Sequence, residues 1–398
     1  MVKSEADNRI QYRISTGELE RRWRTVREAM KESSLDFLIL QNHNNVLGGY
    51  IKWFTDLSAN LDYTATVIFP REDDMITIFH GASLPAQPSP PDWAVRGVKK
   101  RISVPALPSL DFSKYYMAEK AVEELKSYKN ASIGFVGTSF ISAAFYNYVT
   151  QHLISANFKD ATDMVDNIKA IKSDEEIDLL KKTSELQDAL FQYILTRVHP
   201  GKTENEIFND CANKARELGA TQVNIMGGSA QPGKPAGLLP PGFGNKIIDQ
   251  DDQFTLLIET NGPGGLWTEL QRTICLGEVT TELEEQFEIC RELKMVTLNL
   301  LKPGVAPKTI WDANNTFLRT KGYPEELRIY AHGMGYDMVE RPCINREESM
   351  KIQARMNIAV HPSVVSEKAV ATHCENYLVT ETGGPICLHQ TPQNIFKI

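Results

Sequence analysis

The sequence predicts an α/β N-terminal domain over residues 1–165 and an α+β C-terminal domain over 166–398, the second built as an internal pseudo-twofold duplication. Three observations carry that reading. Helix-like and strand-like segments alternate through the first 165 residues, one helix–helix–strand pattern then occurs twice at a fixed offset, and 398 residues exceed what one hydrophobic core serves.

In the first domain, "GELERRWRTVREAMKESS" spaces its apolar residues along one helix face. The segments "DFLILQ", "YTATVIFP", "MITIFH" and "ASIGFVG" are short apolar runs of the strand type. Strand-like sequence resumes after the proline-rich "SLPAQPSPPDWAV", so that stretch is a loop inside the domain, and "VKKR" at Val98 to Arg101 reads as a solvated loop. The boundary falls at "DMVDNIKAIKSDEEI", where Ser173-x-x-Glu176 forms the capping box of a new helix.

That helix stops at Pro200-Gly201, and a second, opened by Thr203-x-x-Glu206, runs to Gly219 with strands beyond. Later "TELEEQFEICRELKMVTLNLL" stops at Pro303-Gly304, and a helix from Pro307 ends at Gly322, again followed by strands. Gly201 to Gly304 and Gly219 to Gly322 are both steps of 103 residues, which makes the second domain two copies of one unit.

Between the copies lies "LIETNGPGGLWTELQRTICLGE", a hairpin with Glu259 and Glu269 symmetric about Gly264. Directly opposed like charges, with Cβ atoms about 5 Å apart, are destabilising unless something uses them. The offset carries Glu259 to residue 362, beside His361 in "NIAVHPSVV", and Glu269 to residue 372, close to Glu375 in "HCENYLVTETG". Two pseudo-equivalent hairpins therefore each present two side chains of the metal-ligand type.

Composition excludes other classes. With 42% hydrophobic and 24% charged residues the chain is globular, and a net charge of -8 without a Lys/Arg-rich run leaves no footprint for nucleic acid. No stretch approaches the roughly 18 apolar residues of a membrane span, and the first residues are too polar for a signal peptide, so a cytoplasmic protein is expected. The six cysteines show no CxxC pair and read as reduced, with Cys374, beside Glu375, the one to watch. "GGSAQPGKPAGLLPPGFG" lacks a phosphate-loop spacing and reads as a wall or lid.

Several stretches resemble the pita-bread family, which includes methionine and Xaa-Pro aminopeptidases, prolidases and metal-free creatinases. "IKAIKSDEEIDLL" looks like its entry helix, "TELQRTICLGE" like its second-ligand strand, "AHGMGYDMVERP" like its histidine motif and "ENYLVTETG" like its last-ligand strand. The resemblance implies a creatinase-like N-terminal domain, 1–165, and a pita-bread catalytic domain, 166–398, in a homodimer. It places Glu259, Glu269, His332, His361 and Glu375 in the five ligand slots of a site that in family peptidases binds two divalent ions through two Asp, one His and two Glu.

Three anionic ligands instead of four suit a single Zn, Fe or Mn ion, and the alternative is a metal-free polar network of the creatinase kind. Candidate catalytic groups are His332, Glu340 and Glu269, and candidate substrate contacts are His43, Tyr336 and Trp267. His373 is a possible support for Glu375, Arg272 a partner for a neighbouring carboxylate, and His80, His152, His199 and His389 are structural.

Family peptidases carry a histidine ahead of the first ligand strand and another just before the motif's glutamate. This chain has no histidine between His199 and His332, and it has Val339 before Glu340. Loss of such transition-state donors typically costs about a hundredfold each. The expectation is a hydrolase cleaving a C–N bond in a small polar non-peptide substrate. An Xaa-Pro dipeptidase or aminopeptidase with altered ligands, a lyase on a small zwitterion, and a non-catalytic binding module stand as alternatives.

Overall fold

A computed structural model describes residues 9–42, 46, 49–57, 63–81 and 90–398. The chain divides into two compact units, Met1–Lys169 and Ala170–Ile398.

The first unit is a six-stranded mixed sheet with helices. α1 (Thr16–Glu32) opens on Ser15, whose hydroxyl accepts from the Glu18 amide. β1 (Phe37–Asn42), α2 (Tyr50–Thr55), β2 (Ala65–Pro70), β3 (Met75–His80), β4 (Val98–Val104), α3 (Tyr116–Leu125), β5 (Ser132–Val136), α4 (Ala143–His152), β6 (Asn157–Asp160) and α5 (Thr162–Lys169) follow. The strand order is β4-β3-β2-β1-β5-β6. Ile39, Ile68, Ile78, Ile133, Phe135 and Phe145 are buried in its core. "VKKR", expected as a loop, is the start of edge strand β4, where Lys99 and Lys100 are exposed. Charged side chains blunt a sheet edge, which is why a strand here reads as solvated sequence.

The second unit carries the duplication. α6 (Asp174–Leu195) and α7 (Glu204–Glu217) both open on complete capping boxes, Ser173 with Glu176 and Thr203 with Glu206. β7 (Gln222–Ala230), β8 (Gln253–Asn261) and β9 (Trp267–Cys275) come next, then α8 (Thr281–Leu300) and α9 (Pro307–Thr320). The remaining strands are β10 (Ala331–Gly333), β11 (Glu340–Cys343), β12 (Asn357–Val360), β13 (Ser363–Val365), β14 (Val370–Thr372), β15 (Glu375–Leu378), β16 (Ile386–Cys387) and β17 (Phe396–Lys397). α9 is α7 displaced by the 103 residues the sequence predicts, at both ends. Gly201 and Gly304, which follow the first helix of each copy, share a left-handed φ of 91° and 89°. That region is unfavourable for residues with a Cβ.

The sheet orders are β17-β9-β8-β7, β11-β10-β12-β15-β16 and β13-β14. Shifted by the offset, β8 covers β12 and β13, and β9 covers β14 and β15, so the long strands of the first copy are each broken in the second. The breaks fall at His361-Pro362 and His373-Cys374. An isolated bridge between Gln271 and Cys374 joins the two larger sheets.

Candidate metal centre

The β8–β9 register pairs Glu259 with Glu269 and continues to Asn224 on β7, so three polar side chains lie in a row across three strands. The turn between them is tight: Gly264 has φ 72°, and a Cβ there would meet Leu179 Cδ1 at 2.6 Å. Asn224 donates to Glu259, and the Glu259 and Glu269 carboxyls oppose each other across the strand pair, an arrangement that favours protonation of one of them. Burial, and then the Glu259 charge, push Glu269 well above the usual carboxylate range; burial raises Glu259 as well.

β10 brings His332 to this pair. Its Nδ1 lies 2.9 Å from the Gly333 carbonyl, which can only accept, so Nδ1 carries the proton and the Nε2 lone pair is free for an electrophile. His361 follows β12 at the strand break, its ring 5.2 Å from that of His332 and its Nε2 3.8 Å from Glu269 Oε1. That Nε2 is buried with no hydrogen-bond partner among the described residues. Burial holds both imidazoles below their usual pKa, His361 well below, with the His332 ring adding to the effect. Both are neutral at pH 7.

One donor atom each from Glu269, His332 and His361 lie within 4.8 Å of one another. Two neutral imidazoles, a carboxylate forced to hold a proton, a second carboxylate beside it and an orphaned ring nitrogen fit a divalent ion of the Zn, Fe or Mn type.

Other expected residues lie elsewhere. Glu375, expected as a fifth ligand, is outside the cluster, for a reason of strand alternation. Cys374 and Asn376 face β9, where the Cys374 thiol lies 2.7 Å from Glu269 Oε1 and Asn376 Oδ1 accepts from the Glu269 amide at 2.8 Å. Glu375 and Tyr377 share the opposite face, with Tyr377 donating to Glu375 Oε2 at 3.0 Å. Arg272 does pair with a carboxylate, and that carboxylate is Glu375, 2.7 Å away. Burial would raise Glu375, but the Arg272 charge, with Lys294 and the neighbouring His373, holds it well below the usual range.

Glu340, expected as an acid–base group, is clamped. Its Oε2 accepts from Lys172 at 2.6 Å and its Oε1 from the Asp337 amide at 3.1 Å. Trp267 and Tyr336, expected against substrate, are 1% and 2% exposed, so packing claims both rings. His43 lies outside the described residues. The sequence reading missed Asn224 and Asn376, whose only signal is register, and Lys172 and Lys294, which read as surface residues of amphipathic segments.

The sequence profile of metallopeptidase family M24 matches residues 178–381. An uncharacterized peptidase of Bacillus subtilis is 21% identical over 283 residues, 70% of this chain and 78% of that protein. The Xaa-Pro dipeptidase of Pyrococcus furiosus is 23% identical over 286 residues, 70% of this chain and 78% of its own length. Among solved structures, an Xaa-Pro dipeptidase from Bacillus anthracis superposes with a TM-score of 0.74 at 21% identity, covering 96% of this chain and 100% of that one. A recombinant prolidase from Thermococcus sibiricus gives 0.78 at 17% identity, over 96% and 99%. A profile matching just over half of the chain, with the duplicated pita-bread fold beneath it, places this chain in metallopeptidase family M24, whose members are hydrolases of C–N bonds.

Proposed function

We propose that the chain is a metal-dependent hydrolase of an amide-type C–N bond in a small substrate, with Glu269, His332 and His361 as metal ligands. The observation that carries this is the convergence of donors from those three residues within 4.8 Å, with His361 Nε2 buried and without a hydrogen-bond partner among the described residues. A divalent ion held there would polarise the scissile carbonyl and make a bound water acidic.

The chain's own groups do the rest. The Gly333 carbonyl fixes the His332 tautomer. Asn224 holds one oxygen of Glu259 and leaves the other toward Glu269, so Glu259 receives the proton of the attacking water and returns it to the leaving nitrogen. Burial of both carboxylates keeps competing water away and strengthens each charge interaction.

The names of the relatives, Xaa-Pro dipeptidase and prolidase, make Xaa-Pro dipeptides the first substrates to try. A second reading, a small polar non-peptide substrate, is favoured by one observation: no histidine lies between His199 and His332, and Val339 precedes Glu340. The deciding experiment is turnover of an Xaa-Pro panel and of small non-peptide amides and amidines with Mn, Zn or Fe, each against Glu269→Gln. Cleavage of the dipeptides selects the peptidase reading. Cleavage confined to the non-peptides selects the second, and no metal-stimulated cleavage of either class defeats both. The same reading includes a cytoplasmic homodimer, testable by fractionation and light scattering.

A further inference from the structure

We infer that the centre holds a single divalent ion, because Arg272 and Lys294 act as internal counter-ions that withhold Glu375 from it. The inference rests on the metal reading above and concerns residues behind the donor cluster. Glu375 is completely buried between two cations: the Arg272 guanidinium stands 2.7 Å from Oε1 as an ion pair, although Oε1 accepts no hydrogen bond among the described residues, and Lys294 donates to Oε2 at 3.1 Å.

Neither cation is free to leave. Arg272 donates to the carbonyls of Pro392 and Thr391 at 2.8 Å each, Gln271 at 2.7 Å and Cys374 at 3.2 Å. Lys294 has three N–H bonds, and Glu375 Oε2, His373 Nδ1 and the Gln393 amide oxygen take all three. An ammonium only donates, so His373 offers it a lone pair. A carboxylate, an imidazole nitrogen and an amide oxygen around one point are the donor set of a cation site, and here the resident cation is the lysine itself.

The charge count points the same way. Glu259 and Glu269, once deprotonated, balance one divalent ion, while Glu375 is already outweighed by two fixed cations. A second divalent ion would leave a strong net positive charge in a buried interior, where unpaired charge is prohibitively costly.

The test is metal content per chain by elemental mass spectrometry after reconstitution with Mn or Zn and desalting, alongside circular dichroism to establish folding. We expect one ion in the wild type, one in Glu375→Gln with calorimetric affinity within about threefold, none in Glu269→Gln, and more than one in Lys294→Met, where Glu375 and His373 lose their internal cation. Two ions in the wild type, loss of the ion in Glu375→Gln, or an unchanged single ion in a folded Lys294→Met would each overturn the inference. No ion in the wild type at all defeats the metal reading itself, and this inference with it. If Lys294→Met does not fold, wild type and Glu375→Gln decide the matter between them.

Discussion

At the scale of single residues, the unusual fact is a carboxylate pair placed where strand pairing makes it costly. Glu269 is raised in the folded chain, so its contribution to stability is fully present below the unfolded carboxylate value and is lost as pH rises through the folded one. Metal-free Glu269→Gln is therefore expected to melt above the wild type by a margin that widens from pH 5 to pH 8, while hydrolysis falls at least a hundredfold. Scanning fluorimetry over that range checks it, and a margin that narrows would exclude the buried-charge explanation. Glu375 has the opposite sign. Its folded value is depressed below the ordinary 4.5, so the stability it supplies is present above that pH and disappears as pH falls through the folded value. In urea titrations, the difference between wild type and Glu375→Gln should shrink below pH 4.5. Lys172→Ala would strand Glu340 as an unpaired buried charge, with an expected loss of about 3–5 kcal/mol measured by denaturant unfolding.

At the scale of elements, the hairpin is the unit that sets the site. Gly264→Ala forces a side chain into the left-handed region and against Leu179, with an expected cost of about 1–3 kcal/mol. It should also weaken metal affinity, because the Glu259–Glu269 pair lies only two register pairs from Asn261–Trp267, the pair that closes onto that turn. Calorimetric titration of the variant with Mn or Zn measures this, and unchanged affinity would separate the turn from the site. Legibility in the sequence follows physical range. Glu259 opposite Glu269 could be read because a hairpin's register follows from its turn, and both capping boxes could be read because their signal spans four residues. The pairing of Cys374 with Glu269 could not, since it depends on which face of β15 meets β9, and a break at His373-Cys374 resets that alternation. The same break misled the reading of Glu375, a ligand-type residue whose direction the sequence does not state.

At the scale of the whole molecule, the architecture was legible because helix periodicity, glycine stops and a constant offset agree over long windows. Lysines such as Lys172 and Lys294 were not, because a buried lysine and an exposed one look alike until a carboxylate from a distant strand arrives. All three proposed donors lie in the unit Ala170–Ile398, so a divalent ion should act as a ligand of the native state. At a hundred times its Kd it would stabilise that state by about 2.7 kcal/mol, and hydrogen exchange should slow in β8, β9, β10 and β12. Exchange unchanged in those strands would place any bound ion elsewhere.

The strand breaks bear on how such a centre could arise. Two copies of one unit begin as equals, and a perfectly repeated hairpin can offer only a mirrored constellation. Because the second hairpin is interrupted where the first runs straight, mutations in one half do not reproduce the geometry of the other. The broken half places an imidazole and a thiol beside Glu269 while the continuous half presents the opposed acids, so a repeated scaffold supports a constellation that is not itself repeated.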